Sequence, residues 1–113
     1  MIRRVSFIRR RPGMTPDEFH AHWMGRHAEI VRDLPGLKGL RFNRVQRAIP
    51  EGVDWDGVGE TWFDTLADAD RAFTSEPHKT LLAEDRVKFI GQSQSCYFEE
   101  QPGALPPDEA SWR

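Results

Sequence analysis

The stretch MTPDEFHAHWMGRHAEIVRDLPG, Met14–Gly36, decides the fold, because it spells one amphipathic helix with both ends marked. Thr15 is a good N-cap, Pro16 suits the first helical position, and Glu18 completes a Thr-x-x-Glu capping box. Met14 before the cap and Phe19 after it form a hydrophobic staple. Leu34–Gly36 is a stop signal, so the spacing predicts a helix from Thr15 to about Asp33.

Strand patterns flank this helix. Before it, Arg3–Arg11 alternates Val5 and Phe7 on one face. After it, Leu37–Ile49 reads as a long second strand, with Leu40 and Phe42 alternating against Arg41 and Asn43. Pro50–Gly57 is turn-rich. Val58–Asp64 is a third strand, with Val58, Glu60 and Trp62 on one face and Thr61 and Phe63 on the other. Thr65 and Asp68 repeat the cap pattern and open a second helix, which Pro77 interrupts. His78–Ile90 reads as a further helix and Ser93–Glu100 as a fourth strand.

The resulting order is βαββαβ. It predicts an α+β, ferredoxin-like domain over residues 1–100, with a four-stranded antiparallel sheet and helices on one face. Residues 101–113 read as an irregular Pro-rich tail, with Trp112 a candidate anchor. Phe7, Phe42, Phe63, Cys96 and Phe98 place apolar groups on both faces of the sheet, so a homodimer joined through the far face is expected.

The totals narrow the function. The 113 residues amount to one domain, and a net charge of −2 offers no global attraction to nucleic acid or anionic lipid. RNA-recognition domains share the βαββαβ order, but the third strand GVGETWFD lacks their aromatic pattern. No apolar run approaches a membrane span and no secretory segment opens the chain, so a cytoplasmic protein is expected. Cys96, the single cysteine, reads as a buried structural thiol.

The histidines of the first helix divide by helical phase. At roughly 100° per residue from Phe19, the apolar arc through Ile30, Trp23, Leu34, Val31 and Met24 centres near 70°. His27 falls at about 80° and His20 at about 100°, inside that arc. His22 falls near 300°, beside Glu29 and Asp33 on the expected solvent side. No pair has the i,i+3 or i,i+4 spacing that would chelate a metal, so no metal site is expected. An imidazole among apolar side chains stays neutral and can accept a proton near pH 7. His27 is therefore either a general base or a core histidine bonded to a carbonyl or carboxylate. Glu60 is either a partner for His27 or substrate, or one half of a cross-strand ion pair with Arg41 or Arg44.

Two segments resemble the EthD-domain family. Met14–Leu37 carries Thr-Pro-x-Glu-Phe, a Trp, Arg-His and a closing Leu-Pro-Gly; Trp55–Ser75 carries an Asp-Gly, a Glu and Trp-Phe-Asp. The resemblance covers about residues 3–99. It implies a dimeric α+β barrel with a pocket between helices and sheet, and cofactor-independent chemistry in which the histidine matching His27 is the acid/base residue. Relatives of this kind act on lactones and polyketides. Some also use a tyrosine on the second strand, where this chain has Leu40, Arg41 and Phe42. The expected function is thus a small enzyme acting on a hydrophobic aromatic, polyketide or lactone-type molecule, without metal or organic cofactor. His27 and Glu60 are the expected catalytic pair, with His20, Trp23, Phe42 and Trp62 around the substrate. The alternative is a non-catalytic, ligand-binding or stress-related dimer.

Overall fold

The computed structural model describes residues 1–52 and 54–103. The expected Pro-rich tail and the anchoring role of Trp112 fall largely outside the described residues. The elements are β1 (Ile2–Arg10), α1 (Pro16–His22), a π-helical turn (Trp23–His27), α2 (Ala28–Arg32), β2 (Gly39–Arg44), β3 (Gly57–Phe63), α3 (Leu66–Thr74), α4 (His78–Phe89) and β4 (Ile90–Glu99). The strands form one sheet in the order β2-β3-β1-β4, every neighbour antiparallel. This is the α+β, ferredoxin-like arrangement that the sequence predicts.

The signals at the start of α1 act as expected. Glu18 N–H donates to Thr15 Oγ1 at 3.1 Å, and Thr15 N–H donates to Glu18 Oε1 at 2.9 Å. Met14 packs against the cluster that contains Phe19, completing the staple. At the far end Gly36 adopts φ +77°, a conformation that glycine reaches without steric cost. The second cap also forms, with Asp68 N–H donating to Thr65 Oγ1.

The elements depart from the sequence reading in places. The first helix is not α-helical throughout. Ala28 N–H reaches the Trp23 carbonyl five residues back, so one extra residue is accommodated in that turn. Strand β2 stops at Arg44 instead of continuing to Ile49, because its ladder partner β3 begins at Gly57, opposite Arg44.

Register settles which side chains face the helices. Arg4, Thr61 and Leu40 lie abreast, as do Ser6, Gly59, Phe42 and Ser95. These residues and Phe63 face the helical layer. Val5, Glu60, Arg41 and Cys96 lie abreast on the other face, with Arg3, Trp62 and Phe98 one step along. Cys96 is half-buried on that outer face, so it is not the buried core thiol of the sequence reading.

The core has two parts. Val31, Leu34, Phe63, Ala69 and Ala72 form one; Ile8, Phe19, Trp23 and Phe89 form the other. Trp23 sits on a glycine floor. A Cβ on Gly57 would lie 2.7 Å from Trp23 Cη2, and one on Gly59 would lie 3.3 Å from Cζ2. Gly57→Ala is therefore expected to cost about 1–3 kcal/mol through overpacking, read as a lower urea midpoint at unchanged slope.

Candidate active site

The helical layer and the sheet enclose a cavity of about 310 Å³. Its walls include Arg4 of β1, Trp23 and His27 of the π-helical turn, Phe42 of β2, Phe73 of α3 and Arg86 of α4. The volume is at the lower end of ordinary small-molecule sites, and the lining is apolar with a few polar groups.

The π-helical turn sets the chemistry on one wall. On an uninterrupted α-helix His22 and His27, five residues apart, would diverge by about 140°. The extra residue brings them onto one side, where both meet Asp85 of α4. His22 Nε2 lies 2.9 Å from Asp85 Oδ1 in a hydrogen bond, and His27 Nδ1 lies 3.4 Å from Asp85 Oδ2. The His27 contact has the reach of an ion pair without hydrogen-bond alignment. The solvent-side placement of His22 is therefore corrected: it is three-quarters buried and stacks over Phe89 at 4.7 Å.

Asp85 is 2% exposed, and a carboxylate buried so deeply requires partners. Its position was readable in the chain. Leu82, Asp85 and Phe89 share one stripe of α4 at i+3 and i+4 spacing, which puts an acid on the apolar face.

His27 is largely buried, with its Nδ1 sealed from solvent. A carboxylate facing Nδ1 favours the tautomer protonated there, which leaves Nε2 unprotonated on a residue that lines the cavity. Burial pushes the imidazole pKa below the ordinary histidine value. Asp85 opposes that shift, while His22 and Arg4 add to it. The group is thus a neutral base at pH 7, oriented by a carboxylate.

The remaining predicted site residues divide. Trp23 and Phe42 reach the cavity together, edge to face at 4.9 Å. His20 stands outside it, against Phe19 and Trp23, with its pKa lowered first by burial and then by Arg44. Glu60 and Trp62 are on the opposite face of the sheet. Although β3 borders the cavity at Glu60, its carboxylate is 3.2 Å from Arg3 Nη1 and accepts a hydrogen bond from Asn43 Nδ2. Trp62 lies between the guanidinium groups of Arg3 and Arg41. The sequence paired Val58, Glu60 and Trp62 on one strand face, as observed, but assigned that face to the wrong side of the sheet. The residues it missed are His22, Asp85, Arg4 and Arg86. Among the described residues no three His, Cys, Asp or Glu side chains are grouped to hold a metal ion. His22, Asp85 and His27 instead contact one another, imidazole nitrogen to carboxylate oxygen.

This sheet and helical layer define the α+β class of ferredoxin-like domains. The EthD domain model matches residues 11–93, and the chain belongs to that family. A search of curated proteins returns no match. Solved structures share the fold. An EthD family protein from Bacillus halodurans C-125 is 20% identical, with TM-score 0.73 over 89% of this chain and 100% of the other. SnoaB, a cofactor-independent oxygenase from Streptomyces nogalater, is 17% identical, with TM-score 0.67 over 94% and 97%. A hydroxynitrile lyase from Passiflora edulis is 14% identical, with TM-score 0.71 over 93% and 96%. A dimeric ferredoxin-like protein from Thermobifida fusca is 16% identical, with TM-score 0.62 over 86% and 88%.

Proposed function

We propose that this protein is a small acid/base enzyme working without metal or organic cofactor on a hydrophobic aromatic, polyketide or lactone-type molecule. The observation that carries the reading is the His27–Asp85 arrangement on the wall of an apolar cavity. Its Nε2 would take a proton from a carbon next to a carbonyl, or from a phenolic hydroxyl, and return it elsewhere on the same ligand. Trp23 and Phe42 would hold the ring, and Asp85 would stabilise the imidazolium as it forms. SnoaB, described as a cofactor-independent oxygenase, supports the cofactor-free part of the proposal.

The test is hydrogen–deuterium exchange into aryl ketones, lactones and phenols in D2O, followed by NMR alongside native mass spectrometry of the purified protein. Exchange that His27→Gln abolishes supports the proposal. Exchange untouched by His27→Gln, or a stoichiometric bound cofactor, overturns it. Asp85→Asn is expected to lower kcat roughly 10²-fold or more, because the imidazole loses both its orientation and its counter-charge. It should also move the acid limb of the rate profile to lower pH, since Asp85 raises the His27 pKa.

The protein is further proposed to be a homodimer through the outer face of the sheet. Phe98 is 41% exposed there, on the same face as half-buried Phe7 and Trp62. Sedimentation equilibrium should return twice the chain mass; a single-chain mass at micromolar concentration would contradict the pairing.

A further inference from the structure

Two guanidinium groups border the cavity without an ion-pair partner among the described residues. Arg4 projects from β1 into the helical layer, its Cζ 3.7 Å from the centre of the Phe73 ring. Its Nη2 donates to Ser95 Oγ at 3.4 Å, a long bond, and its Nε is buried with no partner among the described residues. Burial, the largest influence, pushes its pKa down; Tyr97 opposes that shift and Arg86 adds to it. Arg86 Nη2 donates to Ser93 Oγ at 2.7 Å. Neither arginine makes an ion pair with an acid among the described residues; the arginines that do include Arg3, Arg10, Arg26, Arg44 and Arg71, all away from the cavity's serine wall.

Arg4 is half-buried and Arg86 exposed, and a cation drawn partly out of water without a counter-charge is costly. Here the partner cannot be Glu60, which serves Arg3 and Asn43 on the opposite face. The serine hydroxyls beside the two arginines are neutral. Ser6 and Ser95 share a hydrogen bond of 2.8 Å and add donors at the same wall. A planar carboxylate takes several hydrogen bonds at once and matches the guanidinium fork.

We propose that Arg4 and Arg86, with Ser95, form a carboxylate subsite, so that the ligand is an aromatic or alicyclic acid seated with its apolar body against Trp23 and Phe42. The inference rests on the reading above for the cavity as the ligand site. It does not depend on His27 moving a proton.

The experiment is isothermal titration calorimetry of the full chain with mono- and bicyclic aromatic carboxylates and their matching primary amides. Amides keep the shape and lose the charge. Carboxylates should bind roughly tenfold or more tightly than their amides. Arg4→Gln and, separately, Arg86→Met should remove most of that preference while circular dichroism shows the fold retained. Amide shifts in NMR should map the acid to Ser95 and Phe73. His27→Gln should keep the preference, so loss of turnover and loss of the subsite are read apart. Equal affinity for acid and amide, no carboxylate binding across the series, or a preference surviving in folded Arg86→Met would each overturn the proposal. Arg86 stands on the surface of α4 and donates to Ser93, so that variant remains informative if Arg4→Gln does not fold.

Discussion

His27→Gln is expected to reduce turnover about 10²–10⁴-fold, the range that a positioned general acid or base supplies. The glutamine side chain keeps a polar group beside Asp85, so the loss reflects proton transfer more than collapse of the wall. The pH dependence carries the signature. A histidine with a depressed folded-state pKa binds fewer protons when folded than when unfolded. Its favourable contribution to stability is thus present above the unfolded value of 6.5 and is lost as pH falls from there toward the folded value. The rate should follow the same group. For the wild type, the acid limb of kcat/KM should have its midpoint below pH 6.5, because the imidazole remains neutral to lower pH than an ordinary histidine. His27→Gln should remove that acid limb along with the rate.

Trp23→Ala is expected to cost about 3–5 kcal/mol, a large part of the stability of a domain this size. Trp23 is 1% exposed and belongs to the cluster with Ile8, Phe19 and Phe89. Its ring meets Phe19 and Phe42 and lies directly on Gly57 and Gly59. Removing it leaves a void that glycine cannot fill, next to a cavity already present. The effect should couple to the floor beneath it. With the indole gone, an added methyl at Gly57 meets no ring, so Trp23→Ala with Gly57→Ala should destabilise less than the sum of the two. Chemical denaturation of the four proteins measures the coupling. Additive single effects would mean that the indole and the glycine floor do not support each other.

The frame of this fold was legible because its signals are local. Thr15, Pro16 and Glu18 mark a helix start whose hydrogen bonds are satisfied within four residues. The alternation in Val58–Phe63 gives strand parity without reference to anything else. Parity does not say which face meets the helices when both faces carry large apolar groups, and that is why Glu60 and Trp62 were assigned to the cavity. Tertiary pairing also ended β2 at Arg44, where no residue in the strand itself marks a stop. The π-helical turn left no sequence mark at all, since Trp23–His27 contains good helix formers and one glycine. An angle counted from Phe19 at a constant 100° per residue therefore holds for His22, within α1, and drifts for His27, beyond the turn; His22 is buried because α4 packs over its side with Asp85 and Phe89. Asp85 and Arg4 were legible in principle, as charged residues at apolar positions, but their meaning depends on which helix and strand lie opposite.

The central claim is that His27 is a neutral imidazole, protonated on Nδ1 toward Asp85, with Nε2 free in the cavity. An NMR titration of 15N-labelled imidazole in the wild type and in Asp85→Asn tests it without knowledge of the substrate. The account predicts that His27 titrates below 6.5, carries its proton on Nδ1, and moves further down in Asp85→Asn. A His27 that titrates at or above 6.5, holds its proton on Nε2, or ignores the loss of the Asp85 charge would contradict it.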